Sequence, residues 1–375
     1  MSRSVFSGLS LLGAGDALEV HYPRSIHDAE RAARVARAFD LQVASGAETW
    51  SVRGGFPALK GFFAQLNAFP PPYPVQGIAR EKAEIPEVSC VIVVNENLPF
   101  VREQLLPSLA ANSRRPIEVV LVYNGAAQPD PALPGIRSAW GAVAAGYNAG
   151  AKAARGRYVA FFHDDVVIDD PGWIEACVAA LEAGAGAASP EHRRLESVAG
   201  VALPPLPVAK CVPLVMRADD FRAAGGFDEF HYVGYEDLDF SLALASRGLK
   251  LAPVKIALRH FSGMSSTLKY CPVPGLAALY ALAALPAAAI RRRFSEFIAH
   301  GVRLEGVDVM RIGLDVQLLY VLKKYRAWLA GIDARAYAEA TAALERSLTA
   351  ACPFDVTLVL PRFRELDRAM RAASG

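Results

Sequence analysis

The sequence predicts an α/β fold built on a mostly parallel sheet flanked by helices, with a small N-terminal α/β domain before it and a C-terminal helical region after it. Three observations carry this expectation. From Ser89 to Asp165 strand-like and helix-like segments alternate, the pattern of parallel strands joined by helical crossovers. The run SCVIVV is almost wholly β-branched, as in a strand buried on both faces. GLDVQLLYVLKKYRAWLAG places apolar residues at three- and four-residue spacing with basic residues between them. A chain of 375 residues is also too long for one compact core.

The elements follow in order. In residues 1–74, ALEVHYP and ETWSVRG read as strands, Ser25 to Phe39 as a helix with Ser25 or Asp28 as its cap, and FPALKGFFAQLNAF as a second helix. PPPYP closes this part as a stiff extended linker. In residues 75–270, SCVIVV is followed by the helix PFVREQLLPSLAAN, the strand EVVLVYN, a helix beginning over Gly146 to Ala154, and the strand RYVAFFHDD. Ligands of open α/β sheets bind beyond the carboxyl ends of strands, where Asn124 and the His163–Asp165 cluster both fall. Residues 271–375 read as helical.

Composition excludes several classes. A formal charge of +2 provides no concentrated basic face, so no nucleic-acid partner is expected. Five cysteines are scattered without close pairs, which reads as buried free thiols in a reducing compartment. No secretory signal is expected, because Asp16 and Glu19 follow VFSGLSLLGAG where a cleavage site would lie. The apolar run Pro274–Ile290 is too short to span a bilayer and is interrupted by Pro286; Arg291, Arg292 and Arg293 follow it. Residues 274–293 are therefore either a buried alanine-rich helix or a peripheral contact with an anionic membrane. The expected location is the cytoplasm, with the inner face of the membrane as the peripheral option.

Two clusters carry the chemistry. His163, Asp164 and Asp165 end an apolar strand, while Glu236, Asp237 and Asp239 open a helix, and His260 follows. Carboxylates and a histidine gathered from strand ends and loops can hold a hard divalent cation and still leave one carboxylate free as a base. That is the equipment for transfer from a diphosphate-activated donor. Each cluster has a plainer explanation: a solvated loop, a helix N-terminus that favours acidic residues, a structural histidine.

VSCVIVV, IEVVLVYNGA, AGYNAGAKAARGRYVAFFHDDV, GGFDE and EDLDF, in this order and spacing, resemble glycosyltransferase family 2, the inverting enzymes of the GT-A fold. The resemblance covers roughly residues 86 to 266. It implies a metal-dependent transfer of a sugar from a nucleotide diphosphate sugar to a hydroxyl on a saccharide or lipid-linked acceptor, in polysaccharide or glycolipid assembly. It assigns Asp165, His260 and His163 to the metal, and Asp237, ahead of Glu236, to the base that takes the acceptor proton. It places Tyr123, Asn124, Asn148 and Asp164 at the donor, and Asp228 and Tyr235 at the acceptor. His163 stands where the family has an aspartate. It leaves a neutral nitrogen ligand or a donor contact and shifts the preference towards Mn2+ over Mg2+. Tyr123 stands where the family reads the base with an aspartate; a tyrosine could stack on the base and Asn124 could hydrogen-bond it. Asn148 belongs to an N-x-G whose helix start could face phosphate. A nucleotidyltransferase on a similar scaffold and a non-catalytic nucleotide-sugar-binding relative are the alternatives.

Overall fold

The computed structural model describes residues 9–10, 17–23, 29–46, 49–55, 57–59, 61–62, 86–95, 97–124, 127, 129–138, 143–231, 234–264, 303–304 and 307–351. Ser25, Asp28, the PPPYP linker and residues 274–293 lie outside them. The chain divides into two compact units, one of Met1–Ala68, Glu196–Pro205 and Gly301–Gly375, the other of Phe69–Leu195 and Leu206–His300.

In the first unit β1 (Leu9–Ser10), β2 (Ala17–Pro23), β3 (Gln42–Ser45) and β4 (Thr49–Gly55) form an antiparallel sheet in the order β1-β2-β4-β3, and α1 (Ala29–Arg37) joins β2 to β3. The two strands read from the sequence are β2 and β4. The same unit holds the short pair β16 (Arg303–Leu304) and β17 (Val307–Asp308), then α8 (Val309–Lys324) and α9 (Arg326–Ala351). Leu329, Tyr337, Ala340, Leu344 and Leu348 of α9 are buried at helical spacing. Asp333 breaks the helical dihedrals, and its Oδ1 accepts the Ala336 N–H at 2.9 Å, so it caps a fresh helical start.

The second unit carries β5 (Val88–Val94), β6 (Ile117–Asn124), β7 (Ile136–Ser138), β8 (Tyr158–Phe162), β10 (Ala187–Ser189), β13 (Leu214–Arg217) and β14 (Leu251–Pro253) in one seven-stranded sheet. Its order is β14-β10-β13-β8-β5-β6-β7. Only β13 runs antiparallel to its neighbours. The expected mostly parallel sheet is therefore present. The pleat explains the apolar run of β5. Val88, Cys90, Ile92 and Val94 enter one core cluster, and Val91 and Val93 enter the other.

The first face is covered by α2 (Leu98–Phe100), a π turn (Val101–Leu105), α3 (Leu106–Asn112) and α5 (Trp173–Glu182). The π turn directly precedes Pro107, which has no N–H to give the helix ladder. The other face is covered by α4 (Val143–Ala153), α6 (Ala218–Ala224) and α7 (Glu236–Ala245). There Tyr147, Phe161, Phe221, Phe227 and Phe240 interlock, with ring centroids between 4.5 Å (Phe227–Phe240) and 5.7 Å (Phe221–Phe227). Cys90, Cys177 and Cys211 are buried and unpaired. Among the described residues no helix is long and apolar enough to cross a membrane.

Gly146 and Gly150 let α4 sit directly on the sheet. A Cβ on Gly146 would lie 2.8 Å from Val93 Cγ1, and one on Gly150 would overlap Val91 Cγ1. Both valines are buried in the core cluster between sheet and helix, where a shift disturbs their neighbours. Gly150→Ala should therefore destabilise the protein by up to about 2 kcal/mol, an overpacking cost of about 1–3 kcal/mol less a helix-propensity gain of about 1 kcal/mol. Denaturant unfolding measures it, and a variant as stable as the native protein would mean that helix and sheet are not this tightly apposed.

Candidate active site

The site grows from the carboxyl end of β8. All five residues of this strand are buried, and His163 is the first residue past it. Its N–H donates to Cys211 O at 2.8 Å, which ties the turn to the segment entering β13. The chain then passes Asp164 and Asp165 into β9 (Val166–Ile168). This strand pairs antiparallel with β15 (Leu258–His260), in a register that sets His260 opposite Val166. A histidine almost a hundred residues away is thereby delivered beside Asp165.

The chain after β15 wraps that carboxylate. Phe261 N–H donates to Asp165 O at 2.9 Å, and the Gly263 and Met264 N–H groups donate to Asp165 Oδ2 at 3.0 and 3.3 Å. The turn needs φ of +35° at Ser262 and +90° at Gly263, and the second suits glycine. Asp165 Oδ1 is left without a hydrogen-bond partner, as is His260 Nε2, and they lie 3.5 Å apart. The pair is held by charge alone, with no hydrogen bond to either atom, so a ligand could enter between them.

His163, Asp165 and His260 each offer one ligand atom, all within 4.8 Å of one another, and this group could hold a metal ion. The donor set fits: one carboxylate oxygen and two imidazole nitrogens are a common mixture for a divalent transition metal. Burial holds the His163 pKa down to about 4, against the pull of Asp165, so the imidazole is neutral and can ligate. Burial disfavours the charged form of His260, yet Asp165 and Glu191 outweigh it and push its pKa up to about 9.

Asp164 faces the other way. Its Oδ2 accepts the Asn95 N–H at 3.2 Å and its carbonyl accepts from Asn97 Nδ2 at 2.8 Å. Asn124 Nδ2 donates to Asn95 Oδ1 at 3.0 Å. The carboxyl ends of β5, β6 and β8 are thus laced together by Asn95, Asn124 and Asp164. Tyr123 does not join them. It is 1 % exposed, packed in the core with Leu121, and its hydroxyl donates to Leu133 O at 2.5 Å. The expected stacking on a base has no exposed ring face to act through.

The second cluster opens α7. Gly234 and Tyr235 both have positive φ, and the half-buried Tyr235 turns the chain into the helix. Glu236, Asp237 and Asp239 are all buried, at 6 %, 3 % and 1 % exposure. Asp239 meets the buried His231 ring at 3.0 Å. Asp237 Oδ2 forms an ion pair with Lys210 Nζ, and its Oδ1 accepts the Leu238 N–H at 2.8 Å. Burial would raise the Asp237 pKa, but Lys210 outweighs it and holds the carboxylate ionised. Glu236 has no such partner; Oε2 is unpaired, and burial with the neighbouring Asp237 charge pushes its pKa up to about 7. Asp237 and His163 lie within electrostatic range of each other, so the two clusters border one site.

Asn148 and Asp228 do other work than expected. Asn148 lies inside α4 rather than at its start. Its amide donates to Phe227 O and Glu229 Oε1, each at 2.9 Å, and its Oδ1 accepts the Phe227 N–H at 2.9 Å. It clamps the GGFDE turn. Asp228, 1 % exposed, accepts the Phe230 N–H at 3.0 Å and shapes the same turn from within.

Glu191 and Lys210 were not found from the sequence. Glu191 Oε2 lies 2.6 Å from His260 Nδ1. Glu191 carries no motif. Lys210 carried a signal, as the only charged residue from Val201 to Met216.

The two carboxyls at the start of α7 make a pH test. The Glu236 pKa lies near 4.5 in an unfolded chain and near 7 here, so the folded state holds the proton more tightly between those values. The group costs no stability at about pH 4 and increasing stability as pH rises through that window. Glu236→Gln should therefore be more stable than the native protein at about pH 8, with the advantage gone near pH 4. Equal denaturant stability at the higher pH would contradict the buried, protonated Glu236.

No curated protein matches the chain significantly. Solved structures include a mannosyltransferase from Pyrobaculum calidifontis in complex with GDP-Man and Mn2+, 17 % identical, over 84 % of this chain and 97 % of that one, with a TM-score of 0.36. S. aureus TarS 1–349 in complex with UDP is 16 % identical over 70 % of this chain and 92 % of its own, with a TM-score of 0.35. GalNAc-T7 with UDP, GalNAc and Mn2+ is 12 % identical over 56 % and 54 %, with a TM-score of 0.38. Residues 90–198, which run from β5 through the His163–Asp165 turn and Glu191, match the model of glycosyl transferase family 2.

Proposed function

We propose that the chain is a metal-dependent inverting glycosyltransferase that moves a sugar, a hexose by family resemblance, from a nucleotide diphosphate sugar to a hydroxyl acceptor. The observation that carries this is the adjacency of two unlike clusters: Asp165, His260 and His163, which can take a cation, and Asp237 with Glu236, which can take a proton. Asp165, His260 and His163 would hold the divalent cation, and two imidazoles favour Mn2+ over Mg2+. A bound cation would supply charge stabilisation to the departing diphosphate.

The protein's own groups do the rest. Asp237 is held ionised by Lys210, which is the form a base needs. It takes the proton from the acceptor hydroxyl as that oxygen attacks the anomeric carbon in line and the bond to the diphosphate breaks. One displacement inverts the configuration. Asn124 and Asp164, at the carboxyl ends of β6 and β8, would meet the donor's nucleoside end. Tyr235, and the turn shaped by Asn148 and Asp228, border the acceptor side. A saccharide or lipid-linked acceptor in polysaccharide or glycolipid assembly on the cytoplasmic side is the setting we infer. The raised pKa and unpaired Oε2 of Glu236 favour a second assignment, with Glu236 as the base.

A panel of sugar nucleotides, assayed for release of the nucleoside diphosphate, tests the proposal. Asp237→Asn should lower turnover by about two to four orders of magnitude with little change in donor KM. Proton NMR should show an inverted anomeric centre. Near-normal turnover in Asp237→Asn with an inactive Glu236→Gln would move the base to Glu236. Turnover unaffected by either change would sink the mechanism, and release of pyrophosphate would indicate nucleotidyl transfer instead. Asp165→Ala should separately abolish the Mn2+ dependence of nucleoside diphosphate binding; unchanged binding would remove Asp165 from the cation.

A further inference from the structure

We propose that Glu191 is a positioning residue that makes His260 a metal ligand, fixing which ring nitrogen faces the site. This rests on the cation site proposed above. His260 Nδ1 lies 2.6 Å from Glu191 Oε2. An ionised carboxylate can only accept, so Nδ1 keeps its proton facing Glu191, and a cation would displace the proton on Nε2, which makes Nε2 the ring's ligand atom. Nε2 makes no hydrogen bond and faces Asp165 Oδ1, which also makes none, across a 3.5 Å charge contact. The His260 side chain is 8 % exposed and that of Asp165 6 %, so neither atom is satisfied by bulk water.

Glu191 is itself held from several sides. Its Oε1 accepts from Arg193 Nε at 3.0 Å, and its carbonyl accepts the Lys210 N–H at 2.9 Å. Ser189 Oγ accepts the Glu191 N–H at 3.3 Å and donates to Lys210 O at 2.7 Å. The carboxylate is therefore anchored just past the end of β10, with one oxygen committed to Arg193 and the other to the imidazole. A carboxylate that orients a ligating histidine also raises its basicity. The segment that carries Lys210 towards Asp237 is the one that holds Glu191 at His260, so one stretch of backbone serves both clusters.

Binding of Mn2+ alone to the full chain, followed by the electron paramagnetic resonance of the free ion, tests this. Glu191→Gln keeps the size and an acceptor oxygen but loses the charge, and should bind Mn2+ about 10- to 100-fold more weakly. Glu191→Ala should bind more weakly still. Spin-echo modulation of the bound ion should show the nitrogen coupling of His260 in the native protein, identified by its loss in His260→Ala. The same coupling should be lost in Glu191→Ala. Native-like near-UV circular dichroism separates this effect from unfolding, and the isosteric Gln variant decides the matter if the Ala variant does not fold. Native affinity in both variants with the coupling intact would overturn the role of Glu191 and leave the cation site standing. A native chain that binds no Mn2+ would remove the cation site, and this proposal with it.

Discussion

The short antiparallel pairing of β9 with β15 is the constraint on which the site depends. Three residue pairs align Leu258 with Ile168 and His260 with Val166. Everything beyond that register follows from it. Phe261 reaches the Asp165 carbonyl, the turn at Ser262–Gly263 points two N–H groups at Asp165 Oδ2, and His260 is left facing Oδ1. A slip of one residue would turn His260 to the opposite face of the strand and separate it from the aspartate. The loop hydrogen bonds use one carboxylate oxygen and leave the other facing His260 Nε2.

A second consequence is electrostatic. Burying acidic groups together is costly unless each is neutralised differently. Asp237 is neutralised by Lys210, Glu236 by keeping its proton, Asp239 by the buried His231 ring, and Asp165 by backbone donors and His260. Adjacent carboxyls at one helix start thus hold a proton with unequal strength, Glu236 more firmly than Asp237. Division of that kind is how a single site separates acid and base roles.

Much of this was legible in the sequence. The apolar runs of β5 and β8 announce strands buried on both faces, and the polar residues that end them announce the ligand edge. The acidic start of α7 was legible for the same reason, since charge against an apolar background carries information along the chain. Side-chain direction was harder to read. Tyr123 belongs with Leu121 by strand parity and so points into the core, while its neighbour Asn124 meets Asn95 across the strand ends. Asn148 looked like a helix start, but α4 begins five residues earlier at Val143, so its amide meets the GGFDE turn instead. Glu191 was out of reach, because its partner is 69 residues away on β15, outside the sheet that carries β10.

The central claim is that β9 and β15 deliver one cation site built from Asp165, His260 and His163. Crystals grown with Mn2+ and measured on both sides of the manganese absorption edge test it most directly. The account predicts one strong anomalous peak in ligand contact with an Asp165 oxygen, His260 Nε2 and a His163 ring nitrogen. A fully occupied peak elsewhere in the chain, with these three side chains free of it, would contradict it.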